Sequence, residues 1–453
     1  MALSSRGIAR LVAFSSLAAC GGSSPGTPRD ASGDAPVDAP GIRDARPPPT
    51  GPGVPWSREP PGDRPPSAIP QLVAITFDDN FGLAHPAAVG GVNYIVDFLR
   101  DKHNPAGVGS ADDFDGAPAH VTFYHTSIYV VDDSTTVLGG KYGEDHNGRN
   151  RAAWTAALAA GHEAGDHTVN HFNGGVVPID PDPCCMARNW SYFDWSAEIA
   201  ACRDALVDPA HGIGAHGGDV IGFRTPFLGY NDAVFDALWD LHFAYDTTLP
   251  NCFDDAEDGT NCSWPYTLDA GSPDIAVVSR KFSAPNATIP ITFPEVKPHP
   301  GLWELPPTTL ILPPDSVAAQ YHFTPGLRAR VAARGALNYP SLHEPATGKI
   351  AGLDYTLLID AGITGDEMAA VLEYNLDLHL SGNRSPLIFI GHSHLYTYST
   401  EDDNPDTPSA EIRDERWRGL QRFMTYALAK PEVRLVAAKD VLAWVQREAG
   451  VAK

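Results

Sequence analysis

The chain is short of positive charge, short of cysteine, and has no long apolar run. Its 453 residues carry 32 Lys and Arg against 56 Asp and Glu, a formal net charge of −24. That balance argues against a nucleic-acid surface, which needs clustered cations to displace counterions from phosphate. It suits a chain working outside the cytosol on neutral or cationic material. No stretch is long and apolar enough for a membrane-spanning helix, which needs about 20 consecutive apolar residues. The six cysteines include no CxxC pair, so a structural zinc knuckle is not expected. No self-similarity at a period of roughly 20 to 50 residues is visible, which removes solenoids and propellers.

The first twenty residues read as a targeting segment. Arg6 and Arg10 precede the short apolar core "LVAFSSLAA", and the segment ends in Leu17-Ala18-Ala19-Cys20-Gly21. That string resembles the bacterial lipoprotein cleavage box, in which the cysteine takes a lipid and becomes the mature N-terminus. The expectation is an exported chain, lipid-anchored in the cell envelope, with Gly21 pointing to the outer membrane. Residues 21–70 are dominated by Gly, Ser, Pro and Asp. They bury too little apolar surface to order themselves, so they are expected to form a disordered tether. A single domain is expected over 71–450. In an oxidising compartment Cys252 and Cys262 lie close enough in sequence to close a short disulfide. Cys184, Cys185 and Cys202 leave one odd thiol, and their pairing stays open.

After residue 70, short β-branched or aromatic runs alternate with amphipathic stretches. Strands are predicted at 72–77, 120–125, 219–224, 242–247, 386–391 and 433–438. Helices are predicted at 88–101, 150–160, 192–207, 231–241, 365–381, 413–429 and 439–448. The helix near 365 opens on a capping box, Thr364 to Glu367. Such alternation predicts an α/β fold, a mostly parallel sheet with helices outside, doubly wound or closed into a barrel. Two proline-rich regions, 250–300 and 306–363, read as long rim loops.

Four motifs carry chemistry. The strand "LVAITF" runs into Asp78 and Asp79. Adjacent strand residues point to opposite faces, so two carboxylates meet only where the chain turns. Placed together they call for a cation or a shared proton, unless the strand end is simply solvated. In "GHEAGDHTVNH", His167 and His171 are four apart, and two histidines with a carboxylate leave an open position on a metal. In "IGFRTPFLGYN", Arg224 can hold a carboxylate and Pro226 fixes the backbone beside the Phe227 amide, an oxyanion donor. In "SPLIFIGHSHLY", His392 ends an apolar strand, where a histidine suits a general acid. His394, two residues on, is a further candidate ligand.

Taken together and in this order, Asp78-Asp79, His167-x-x-x-His171, Arg224-x-Pro226-Phe227 and His392 resemble the polysaccharide deacetylases, carbohydrate esterase family 4, or NodB-like proteins. "FAYDTTL", "WPYTLD", "LWELP" and "RSPLIFIGH" resemble the chitin deacetylase-like branch. The resemblance covers most of 71–446 and implies a distorted (β/α) barrel of about seven strands. It implies Asp79, His167 and His171 as ligands of zinc or another divalent transition metal. It implies Asp78 as base, Arg224 as its brace, the Phe227 amide at the oxyanion and His392 as acid, with Asp246 orienting or tuning His392. The implied substrate is an N-acetylated polysaccharide: chitin-like, peptidoglycan or exopolysaccharide. Trp264 and Trp303 are candidate sugar-stacking walls. A phosphatase-like aspartyl nucleophile fits less well, because that chemistry wants D-x-D. Paired-carboxylate glycoside hydrolysis leaves the histidines unexplained. A binding protein that kept the fold and lost turnover is the remaining alternative.

Overall fold

The structure is a computed structural model. It describes residues 53–80, 89–107, 110–131, 144–177, 186–285, 291–334, 342–398 and 409–451. The signal-like segment, most of the tether, and Cys184 and Cys185 lie outside the described residues.

The backbone is a mixed α/β fold built on a nine-stranded sheet. Seven strands run parallel in the spatial order Leu387–His392, Gln71–Asp78, Thr122–His125, Glu163–Asp166, Gly222–Phe223, Tyr245–Asp246 and Trp303–Glu304. Val433–Leu435 adds parallel to the start of Gln71–Asp78, and Tyr266–Thr267 adds antiparallel to Trp303–Glu304. The sheet curls until its ends approach. Past Glu304 the chain reaches the far strand, where Thr308 N donates to Ile388 O (2.9 Å) and Ile390 N donates to Gly352 O (3.0 Å). The result is a distorted, open half-barrel.

Gln71–Asp78 is buried at every position, as a central parallel strand covered on both faces must be. Phe77 stacks on Phe123 across the strands, with ring centroids 5.5 Å apart. Outside, Gly365–Ser381 packs on Ala410–Leu428. Gly419 permits that approach, since a Cβ there would lie 2.1 Å from the Gly365 carbonyl oxygen. Thr364 and Glu367 form the expected capping box.

Three expectations need correction. Residues 53–70 belong to the domain, not to a disordered tether. Val54 N donates to Thr267 Oγ1 (2.8 Å), and Trp56 Nε1 donates to Asp274 Oδ1 (2.9 Å). The segment lies down as a strap with two short 3-10 turns, Pro61–Asp63 and Pro66–Ala68, each opened by a proline whose missing N–H costs nothing there. The two proline-rich regions are not merely loops either: they hold helices Pro273–Phe282 and Leu327–Ala333. Ser272 caps the first of these by accepting from Ile275 N, with Pro273 at the first helical position, where its missing N–H costs nothing. Finally, Trp264 and Trp303 are buried in the core, and Trp264 stacks on Trp444. Neither is a sugar wall. Cys252 and Cys262 are disulfide-bonded, and Cys202 is a buried free thiol.

Candidate active site

The candidates converge where the central strands end. Asp79 and Asn80 both adopt left-handed backbone, φ 64° and 65°, which turns the chain and delivers Asp78 and Asp79 to one mouth. Asn80 stabilises the turn: its Nδ2 donates to Phe77 O (3.0 Å) and Tyr124 O (2.9 Å). Trp154 Nε1 donates to Asn80 O at 2.8 Å. Thr168, His171, Phe227 and Leu228 are also left-handed, φ 66°, 54°, 61° and 51°. Such backbone is costly for non-glycine residues and persists only where the surroundings enforce it.

Arg224 is wholly buried and fully engaged. Its Nη1 donates to Asp78 Oδ1 (2.7 Å) and Thr76 Oγ1 (2.8 Å), its Nε to Thr247 O (2.9 Å) and its Nη2 to Thr247 Oγ1 (3.1 Å). The guanidinium also lies over the Tyr124 ring, 4.6 Å from its centroid. It therefore holds Asp78 in one orientation and compensates its charge.

The histidine loop leaves Glu163–Asp166, a strand that pattern reading missed because "EAGD" contains no β-branched or aromatic residue. Glu198 pins the loop by accepting from Val169 N and Asn170 N, each at 3.2 Å. His167 Nδ1 donates to Arg224 O at 2.8 Å, which leaves Nε2 as a lone pair facing Asp79. Burial pushes the His167 imidazole down to about 4, so it is neutral at pH 7. Burial also opposes ionisation of Asp79, but the neighbouring His171 holds that carboxyl well below the usual range. His171 Nε2 and His167 Nε2 lie 3.0 and 3.6 Å from Asp79 Oδ1, yet that buried oxygen accepts no well-formed hydrogen bond. An orphaned carboxylate oxygen facing an imidazole lone pair is a donor set that wants a cation. Asp79, His167 and His171 therefore fit a divalent transition ion.

His392 stands directly opposite Asp78 in the parallel register. Its Nδ1 lies 2.7 Å from Asp354 Oδ1, and its backbone N donates to Asp354 Oδ2 at 2.8 Å. Burial alone would lower this imidazolium; the Asp354 carboxylate, with Asp79 and Asp78 adding to it, outweighs burial and raises His392 to about 9. Asp354 is fully buried. No sequence signal marked it, because it opens a short helical turn that is brought to the site by the bridge pairing Leu353 with Ile390.

Asp246 does not perform the task expected of it. Its carboxylate accepts from Thr248 N (3.0 Å) and Thr248 Oγ1 (2.8 Å), and Asp354 takes the place beside His392. The reason is register: Asp246 lies across from Glu304 on the neighbouring strand, whereas Asp354 follows Leu353, which bridges directly to Ile390 beside His392. His394 is buried and is pushed down to about 3 by burial and the nearby His392 charge, and it does not join the ligand cluster. The Phe227 ring packs on His171, centroids 4.6 Å apart.

No family model matches the chain, and no curated protein matches it. Solved structures give distant likenesses. One described as a polysaccharide deacetylase from Mycobacterium smegmatis aligns over 86% of this chain and 94% of its own, at 13% identity and a TM-score of 0.44. Another, described as a polysaccharide deacetylase from Pseudomonas aeruginosa, aligns over 84% and 92%, at 13% identity and a TM-score of 0.38. A family 4 carbohydrate esterase from Streptomyces lividans aligns over 40% and 63%, at 14% identity and a TM-score of 0.24. At this distance the chemistry must be argued from the side chains themselves.

Proposed function

We propose that this chain is a metal-dependent hydrolase that removes N-acetyl groups from an N-acetylglucosamine-type polysaccharide, either chitin-like, peptidoglycan or an exopolysaccharide. One observation carries the reading: an Asp-His-His cradle lies beside two braced proton-transfer groups, Asp78 held by Arg224 and His392 held by Asp354. A zinc-like ion held by Asp79, His167 and His171 would supply charge to acidify water and polarise the acetamide carbonyl. Asp78 accepts the proton of the attacking water, kept in place by the buried Arg224. The Phe227 amide donates to the oxyanion as the carbonyl carbon becomes tetrahedral. His392, whose Nδ1 is committed to Asp354, presents Nε2 and gives its proton to the departing nitrogen. The C–N bond breaks, leaving acetate and a free amine on the sugar.

A binding protein that had lost turnover would have no reason to keep both proton-transfer groups braced by buried partners, since burying such charges is costly. We further propose that a lipid on Cys20 holds the domain at the cell envelope. The direct test incubates the metal-loaded protein with N-acetylglucosamine oligomers and reads acetate release and product mass. Loss of one acetyl group per event supports the reading. Tight binding with no mass change leaves the binding-protein alternative.

A further inference from the structure

Asp246, displaced from the role expected of it, belongs to a second arrangement behind the site. Asp246 and Glu304 are direct partners in adjacent parallel strands, and both are wholly buried. Two carboxylates side by side out of water cannot both stay ionised unless a cation lies between them. The cation that acts on Asp246 is Arg224, whose nitrogens are committed to Asp78, Thr76 and Thr247. Glu304 Oε1 accepts from Leu249 N at 3.1 Å, while Oε2 has no donor facing it. Both Asp246 oxygens already accept from Thr248. The atom left to supply a proton between the two groups is Glu304 Oε2.

We infer that Glu304 is a neutral carboxylic acid whose Oε2–H donates to the Asp246 carboxylate, and that this shared proton positions Arg224. The coupling is short. Asp246 holds Thr248, whose Oγ1 accepts from Thr225 N at 3.1 Å, and Thr247 supplies two of the acceptors that grip Arg224. Losing the proton sets two negative charges against each other beneath the turn that carries these contacts. Arg224, and with it Asp78, then lose their support. Glu304 is thus a positioning residue, separated from Asp78 by Asp246, the Thr247–Thr248 turn and Arg224.

The direction of titration agrees with this geometry. Burial and the neighbouring Asp246 raise Glu304 well above its ordinary value, and burial raises Asp246 to about 6 against the opposing pull of Thr248 and Arg224. The other groups facing the pair are Asp274, itself raised to about 7 by burial, and Tyr266. Neither is a cation, so both favour the protonated pair. Because these carboxyls bind protons more tightly folded than unfolded, they make stability fall as pH climbs from about 4 toward their folded values.

The test compares wild type with Glu304→Gln in the full chain. Glutamine keeps the acceptor for Leu249 and places an N–H where we place the proton, but it cannot release it. Infrared difference spectra at pH 7.5 should show a protonated carboxylic acid C=O stretch in wild type that is lost in Glu304→Gln. The variant's melting temperature should rise relative to wild type as pH goes from 5 to 9. Its acetate-release rate relative to wild type should rise at least threefold from pH 6 to pH 9. The activity arm rests on the deacetylase reading and the first two do not, so their failure is separable from failure of that reading. A difference spectrum without the acid band, or a melting difference independent of pH, overturns the inference.

Discussion

Replacing Asp354 with asparagine removes one charge from the His392 pair and changes little else in volume. The wild-type arrangement raises His392 from 6.5 to about 9 although burial pulls the other way. At about 1.36 kcal/mol per pH unit, that rise corresponds to about 3 kcal/mol favouring the imidazolium. The sign follows from linkage. A histidine raised on folding contributes stability in full below its unfolded value, near 6.5, and loses it as pH rises through about 9. Asp354→Asn should therefore destabilise the protein more at pH 6 than at pH 10. With the Asp354 carboxylate gone, burial is opposed by the remaining pull of Asp79 and Asp78, and His392 should titrate below its wild-type value of about 9. The variant amide has one oxygen for the two contacts that Asp354 makes with His392; kept on the His392 backbone N–H, it turns its own N–H to Nδ1, which accepts when the imidazole is neutral. Two assays read the result. Proton NMR of the His392 ring in metal-free protein should titrate near 9 in wild type and clearly lower in the variant. In the loaded enzyme, the alkaline limb of kcat should fall below 9, because a cation beside Asp79 offsets its pull on His392; it should fall further in Asp354→Asn. If His392 titrates alike in both proteins, Asp354 does not set its proton affinity and the acid role loses its physical basis.

Other substitutions separate the remaining roles. Arg224→Met leaves Asp78 buried without its partner and should cost about 3 to 5 kcal/mol in urea unfolding at neutral pH; an unchanged midpoint would mean that Asp78 draws its compensation elsewhere. His394→Ala should lower turnover far less than His392→Ala, since His394 does not join the ligand cluster and its imidazole, pushed down to about 3, has no proton to give at neutral pH; the reverse order in acetate release would exchange the two histidines. Replacing both Cys252 and Cys262 with serine opens a loop of 10 residues' separation and should cost about 2 to 4 kcal/mol, read by the same unfolding assay, with no loss contradicting a stabilising role for the bridge.

What was legible in the sequence follows from where the chemistry sits. Asp78, Arg224 and His392 each end or follow an apolar strand, so pattern and placement could be read together. The histidine pair was visible by spacing, although the strand that delivers it was not: Glu163–Asp166 is all polar or small, and neighbouring strands impose its conformation. Asp354 was illegible because it reaches His392 through the tertiary bridge of its neighbour Leu353 to Ile390 rather than through any local pattern. Asp246 was assigned by its neighbours in sequence, whereas the sheet places it beside Glu304. The tryptophans show a related limit: an aromatic residue among prolines and glycines reads as exposed, and only packing against Trp444 shows that Trp264 is core. The strap over 53–70 could not be foreseen from composition, because a few anchors such as Trp56 decide whether such a segment settles on the domain.

The central claim is that the two adjacent aspartates divide the work, Asp79 holding the ion and Asp78 moving the proton. The most direct measurement is metal content by mass spectrometry alongside acetate release, on wild type, Asp79→Asn and Asp78→Asn prepared identically. Wild type should carry one tightly held divalent ion and release acetate. Asp79→Asn should lose both. Asp78→Asn should keep the ion and lose about 10² to 10⁴ in turnover, the usual worth of a positioned general base. An Asp78→Asn protein that comes out without metal, or a wild type whose acetate release survives complete removal of the ion, would contradict the account.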